Sequence, residues 1–490
     1  MTDGTLIDFD NTYARELEDL VVPWQPDEVP APSLVVTNSE LAQDLGIDVD
    51  TLDGDAGASV LSGNTVPDGA TPVAMVYAGH QFGGYSPRLG DGRAVLLGEV
   101  VDSDGNRRDL HLKGSGRTPL SRGGDGKATL GPMLREFLIA EAMHALGIPT
   151  TRALSVAVTG EEVRREAMEP GAVLTRVASS HLRVGTFEYS ARAGDLNAFK
   201  KLVDYAIDRH YPQVREAEQP HLAFFEAVLE KQASLVAHWM LVGFIHGVMN
   251  TDNVTISGEG IDYGPCAFMD RYDPATVFSS IDHAGRYAFG NQPRITTWNL
   301  ARLAETLVEL IDGGFDAAAQ ELTEALNGFH DRFRAHWVVG MRAKLGLSIV
   351  DDDDGEFFDE LLSLMQTAQL DYTMTFRRLA QSLRDDAESV FGSSNLIARQ
   401  WVHRWHQRLD NEPASMAEIA DVMDAVNPIY IPRNHLVDEA LDAATAGNMA
   451  PFEELLSVVT NPFTERDGLE RFAEPAPEGF EDGFRTFCGT

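Results

Sequence analysis

The chain has 490 residues, 43% of them hydrophobic, enough to bury a large core spread over about two or three domains. Its 76 Asp and Glu against 39 Lys and Arg give a formal net charge of -37. Self-repulsion and phosphate repulsion then argue against nucleic acid or anionic lipid as a partner. Only six of the basic residues are lysines. So acidic a balance fits a halophile, whose carboxylates hold water and salt at the surface; the alternative is an acidic face for a basic partner.

Two cysteines, Cys266 and Cys488, can build no disulfide framework and match no metal-ligand spacing, which predicts a reducing, cytoplasmic setting. The opening MTDGTLIDFDN is acidic and lacks the apolar core of a secretory signal. Residues 232–251 carry no formal charge, yet Gln232, Ser234, His238, His246 and Asn250 interrupt them. A buried helix, not a membrane span, is expected there.

In chain order, residues 1–72 carry Pro23, Pro26, Pro30, Pro32 and the run GDAGAS, and read as an irregular N-terminal wrap. A Gly-rich loop, AGHQFGGYSPRLGDGR, leads into the apolar run AVLLGEVV; the turn signal Ser103-Asp104-Gly105-Asn106 then leads to RDLHLKG, which predicts a hairpin. Pro132 opens the helical pattern MLREFLIAEAMHAL, with Gly147 just past its end. ALSVAVTG and AVLTRVAS read as further strands. Beyond about residue 195 helices dominate, among them one over 222–246 and one in TWNLARLAETLVELID, where Leu300, Leu303, Leu307 and Leu310 form a stripe. The run Asp351 to Asp354 is most simply a solvated loop.

The order of parts is Gly-rich loop, strand, strand ending in a lone Lys, helix with Glu, then a helical half carrying acid and amide residues. Protein kinases use that order to bind ATP between two lobes. The predicted class is therefore α+β, with a bilobal, kinase-like arrangement: an N-lobe over 73–195, a C-lobe core with a metal site over 196–310, and a helical extension over 311–490.

Gly90 and Gly92 allow close backbone approach to a phosphate, with Arg93 beside them, although an ordinary hairpin turn reads the same way. Lys113 ends its strand in a chain that nearly avoids lysine, and a buried Lys needs a partner. Glu136 is that expected partner; Glu141, five residues on, points about 140° away around the helix. In HGVMNTDNVTISGEGIDYGP, Asn253 stands seven residues after His246, where a kinase catalytic loop places its metal-binding amide, and Asp262 stands where the next metal-binding carboxylate falls. Both are hard oxygen ligands suited to Mg²⁺ or Mn²⁺. The kinase base would fall at 248, which is Val248, so Asp252 is the nearest carboxylate able to deprotonate a hydroxyl. Arg176 and Arg183 read equally as surface ion-pair partners and as a polyphosphate clamp.

The blocks FDNTYARELED, YAGHQFGGYSPRLGDGRAVLLGE, LHLKGSGRTPLSRGGDGKATLGPMLREFLIAEAMHALGIPTTRAL, RVASSHLRVGTFEY, HGVMNTDNVTISGEGIDYGPCAFMD and DHAGRYAFGNQP resemble the selenoprotein O family of kinase-like protein adenylyltransferases. The resemblance implies ATP bound reversed relative to a kinase, with AMP passing to Ser, Thr or Tyr hydroxyls of proteins, self-adenylylation included. It implies Asp252 as base and Asn253 and Asp262 as metal ligands. Lys113, Arg176 and Arg183 would grip the β- and γ-phosphates, Glu136 would orient Lys113, and Gly90, Gly92, Arg93, Asp125 and Gly126 would make further nucleotide contacts. Cys488 in FCGT resembles a redox position of the family, but the stretch TVFSSIDH lacks the cysteine that some relatives pair with it. A phosphotransferase and a silent nucleotide-binding scaffold are the alternatives, and a monomer is expected.

Overall fold

The computed structural model describes residues 7–52, 54–384, 391 and 396–487. It is a mixed α/β chain: an antiparallel sheet over the first 180 residues, then a helical remainder. The strands are β1 (Val21–Pro23), β2 (Ser33–Thr37), β3 (Val73–Met75), β4 (Gly79–Gln81), β5 (Gly84–Ser86), β6 (Ala94–Val101), β7 (Arg107–Lys113), β8 (Ala128–Thr129), β9 (Arg152–Arg164), β10 (Met168–Ala178), β11 (Phe244–Ile245) and β12 (Ala267–Phe268). The main sheet has eight strands in the order β1-β3-β6-β7-β10-β9-β2, with β8 against β10.

The hairpin of β6 and β7 forms as its sequence predicts. Asp102 Oδ1 accepts the backbone N–H groups of Asp104 and Asn106 at 3.1 and 2.7 Å, and Gly105 supplies φ +84° for the turn. Nearly every side chain of β6 is buried, because the sheet is covered on both faces. One face packs Ala153, Val156, Ala172 and Leu174 against the Leu130–Ala145 helix; the other packs Leu97, Leu110, Leu112 and Val173 against Leu41, Leu45, Leu52 and Leu61.

The N-terminal segment is thus more regular than its Pro and Gly clusters indicate. It supplies β1 and β2, both edge strands of the sheet, and the short helices Ser39–Asp44, Val49–Leu52 and Asp55–Ser62, which cover one face. The prolines segment the chain into pieces too short for a periodic signal.

The stretch from 222 to 242 lies in the helix Pro220–Val242, which ends at Gly243 with φ +74°; residues 244 and 245 turn into β11. None of the described helices is long and apolar enough to cross a membrane. The Asp351 to Asp354 run departs from a solvated loop at its last member. Asp354 is buried, opens the helix Asp354–Thr367, lies 3.1 Å from Arg342 Nε and bonds Arg408. Charge runs are read as solvent-facing by default, and this one ends in two guanidinium partners distant in sequence.

The helical extension folds back on the sheet side. Leu436, Val437, Ala440 and Phe452 share a core with Leu134, Phe137 and Leu138, and the rings of Phe137 and Phe452 lie 6.4 Å apart. The helix carrying Glu136 is therefore sandwiched between β-sheet and extension. Cys488 lies outside the described residues; Cys266 is buried, donates to Tyr263 O at 3.1 Å, and burial pushes its thiol up to about 12.

Candidate active site

Lys113, at the end of β7, projects from the centre of the sheet onto two carboxylates. Its Nζ donates to Glu136 Oε2 at 2.6 Å and to Asp262 Oδ1 at 2.7 Å. Arg176, across from His111 in the β7–β10 pairing, donates through Nη1 to the same pair, Glu136 Oε1 at 3.1 Å and Asp262 Oδ1 at 2.6 Å. Arg183 Nη2 stands 4.0 Å from Asp262 Oδ2, its guanidinium lying 4.4 Å over the Tyr77 ring. Three cations thus converge on two carboxylates, leaving an excess positive charge. Burial alone would raise the Asp262 carboxyl, but Lys113, Arg176 and Arg183 outweigh it and hold it well below the usual range.

Glu136 is the residue that faces the lysine; Glu141, set apart from it by the helical angle, takes Arg152 Nη2 at 2.6 Å. The helix is tied to the Asp262 segment by its own Arg135, which donates to Gly264 O at 3.2 Å and Cys266 O at 2.6 Å. Asp262 adopts φ +62°, a left-handed conformation rare outside glycine and tolerated best by Asp and Asn. Two neighbours hold it there: His246 Nε2 bonds Ile261 O at 2.8 Å, and the buried Tyr263 hydroxyl bonds Thr150 Oγ1 at 2.6 Å. Burial lowers the His246 pKa, so the ring is neutral and its Nε2–H donates.

Asp252 sits in the short Thr251–Asn253 turn and is buried. Gln81 Nε2 reaches its Oδ2 at 3.4 Å, while Oδ1 has no hydrogen-bond partner. Desolvation pushes this carboxyl up to about 6, so a lone acceptor oxygen is kept near the point of taking a proton. A Cβ on Gly79 would stand 2.5 Å from that oxygen, and one on Gly185 would stand 2.1 Å from Ala78 O, so both glycines serve close approach of backbone to the Asp252 loop. Asn253 Nδ2 donates to Val248 O at 3.0 Å, which leaves the amide oxygen as its free end. Val248 itself is buried in the apolar core.

The remaining predicted residues lie in two crossing loops, one leading into β6 and the other following β7. A Cβ on Gly90 would meet Leu120 Cδ1 at 2.5 Å and Met75 O at 2.8 Å; one on Gly92 would stand 3.0 Å from Leu120 O. These glycines admit the 114–126 loop. Gly126, φ +73°, packs on Gly116 in the same way, Asp125 pairs with Arg165 at 2.8 Å, and the Arg93 carbonyl accepts from Gly114 N–H at 2.7 Å.

Sequence reasoning missed the buried polar layer that holds these parts. Arg176 Nη2 lies 3.3 Å from His111 Nδ1, and His111 Nε2 lies 3.0 Å from Asp91 Oδ2; Glu188 bonds both His80 Nδ1 and Thr251 Oγ1 at 2.5 Å. The block GHQFGGYS showed its glycines but not that His80 and Gln81 bond Thr251 and Asp252, each 171 residues away.

A buried cationic cluster beside an unpaired carboxylate suits transfer chemistry on a polyphosphate, and comparison with known proteins gives the class: the chain is a nucleotidyltransferase. A family model described as "Protein adenylyltransferase SelO" matches residues 5–460. The chain is 58% identical over 485 residues to a protein nucleotidyltransferase YdiU of Cereibacter sphaeroides, covering 98% of this chain and 99% of the relative. It is 57% identical to the protein of that name from Rhodococcus jostii over 498 residues, covering 100% and 96%, and 56% identical to that of Mycolicibacterium smegmatis over 496 residues, covering 100% of both. The chain belongs to the SelO family.

Proposed function

We propose that the site transfers AMP from ATP to Ser, Thr or Tyr hydroxyls of proteins, this chain included, and releases pyrophosphate. The observation that carries the reading is Asp252: a buried carboxylate with one unpartnered oxygen, raised to about 6, beside the Arg183 and Asp262 cluster. In this reading the sheet with its Leu130–Ala145 helix is the small lobe of a kinase-like pair and the helices from residue 196 form the large lobe. ATP lies reversed between them.

Lys113, Arg176 and Arg183 grip the β- and γ-phosphates, with Glu136 fixing Lys113 and Arg176 in place. Gly90, Gly92, Arg93, Asp125 and Gly126 line the nucleotide approach. The acceptor hydroxyl gives its proton to Asp252 Oδ1 as its oxygen forms a bond to the α-phosphorus. The bond from α-phosphorus to the bridging oxygen breaks, and its electron pair leaves on pyrophosphate.

Among the described residues no group of three or more His, Cys, Asp or Glu is arranged to hold a metal ion. Asn253 and Asp262 nevertheless fit Mg²⁺ or Mn²⁺, which take one or two protein oxygens and complete their shell with phosphate and water. Such an ion, when bound, supplies charge neutralisation at the phosphates. Val248 weighs against the phosphotransferase alternative, since the position of a kinase base is here apolar and buried.

Intact-mass measurement of an acceptor protein incubated with ATP and Mg²⁺ or Mn²⁺ tests the reading. A gain equal to one AMP residue, lost with Asp252→Asn, supports it; a gain of one phosphate refutes it.

A further inference from the structure

Next to the base loop lies a groove of about 510 Å³ whose wall includes Phe82, Ile281, His283, Arg286 and Arg294. It is joined to the site through one side chain. Asn250 Oδ1 accepts both the Phe82 backbone N–H at 2.9 Å and the Tyr287 hydroxyl at 2.6 Å, and Asn250 lies two residues before Asp252. Phe82 stacks edge-on to Tyr287 at 5.1 Å, and the residue before it, Gln81, touches Asp252.

The charge of this groove is opposite to that of the chain. Arg286 lies 4.8 Å over the Trp298 ring, Arg294 is exposed, and neither meets a carboxylate within 4.0 Å among the described residues. Asp282, the acid in the wall, is buried, with its two oxygens taken by the backbone N–H groups of Arg286 and Tyr287 at 2.9 and 2.7 Å. In a protein of net charge -37, two arginines without acid partners beside exposed Phe82 and Ile281 form a local cationic and apolar surface.

We propose that this groove seats the acceptor protein, taking a segment with an acidic residue and an apolar neighbour beside the accepting hydroxyl. The proposal rests on the reading of the site as a protein-modifying transferase, and it reverses the choice of acceptor that bulk charge alone favours, a basic segment. The apolar residue packs on Phe82 and Ile281, and the acid meets Arg294 and Arg286, which brings the hydroxyl toward Asp252.

The test uses the full chain and two fluorescent peptides that share one Ser and one Leu and differ by Glu or Lys beside them. Binding followed by anisotropy at low salt is expected to favour the Glu peptide by roughly tenfold, a preference that shrinks with added salt. Arg294→Glu should abolish or invert that preference, and Arg294→Lys should keep it. Ile281→Ser should weaken both peptides alike.

A Glu-to-Lys binding ratio that is near one in the unaltered chain, or unchanged in Arg294→Glu, overturns the proposal. So does salt-sensitive self-association that needs Arg294 without peptide binding, which would assign the face to a second copy. The same peptides incubated with ATP labelled at the α- or γ-phosphate separate the two layers of argument. Charge-selective binding with γ-label transfer keeps the groove and rejects adenylylation; α-label transfer indifferent to Arg294 does the reverse.

Discussion

Lys113 Nζ lies 2.6 Å from Glu136 Oε2, a pairing between the last residue of a central strand and the second turn of a helix buried along Met133–Met143. Glu136 also holds Arg176, so its loss leaves two buried cations to share Asp262 alone. Glu136→Ala is expected to cost about 3 kcal/mol in denaturant unfolding, because it removes one of the two carboxylates that balance a buried cluster of cations. Glu136→Gln, which keeps the shape and one acceptor, should cost less while still weakening ATP binding.

Asp252→Asn should cut transfer by roughly 10²- to 10⁴-fold while leaving nucleotide affinity nearly unchanged, as measured by labelled-protein assay and calorimetry. Its effect on stability has the opposite sign. The folded carboxyl is raised to about 6 by burial, so between about 4 and about 6 the folded chain holds a proton that the unfolded chain has released. The contribution of this group therefore falls as pH rises through that window. In the absence of metal and nucleotide, Asp252→Asn is predicted to be about 1–3 kcal/mol more stable than the parent at neutral pH and no more stable near pH 4, measured by urea unfolding at both values.

Gly185→Ala should be harmful out of proportion to its size. The added Cβ would stand 2.1 Å from Ala78 O, within the backbone pairing of Ala78 N–H to Gly185 O at 2.9 Å. Backbone on both sides must shift, and the Asp252 loop lies against it. A loss of about 1–3 kcal/mol in thermal unfolding, together with a drop in kcat larger than any change in KM for ATP, is expected.

Arg433 is fully buried and bonds Asp270 Oδ1 and Asp371 Oδ2, both at 2.6 Å, joining the helical extension to the segment after β12. Arg433→Ala should lose about 3–5 kcal/mol in unfolding free energy, whereas Asp371→Asn, which leaves Asp270 paired, should lose less.

The parts with a strong local signal were legible. The β6–β7 hairpin followed from apolar runs around an Asp-Gly turn, and the helical angle showed that Glu136 and Glu141 do not share a face, though not which of them meets Lys113. The pairing of Lys113 with a carboxylate was legible too, from a lone lysine at a strand end. What sequence hid depends on distant partners. The edge strands Val21–Pro23 and Ser33–Thr37 are too short to alternate visibly, Asp354 looked solvated because Arg342 and Arg408 are remote, and Leu436, Val437 and Phe452 carry no sign that they brace the Glu136 helix. The Glu188, His80 and Thr251 contacts bring together three chain segments, and a motif reading by segments does not join them.

The most direct measurement is transfer to protein from ATP labelled separately at the α- and the γ-phosphate, with Mg²⁺ or Mn²⁺ at high salt. The account predicts protein label from α-phosphate only, lost in both Asp252→Asn and Asp262→Ala. Label from γ-phosphate only would contradict it.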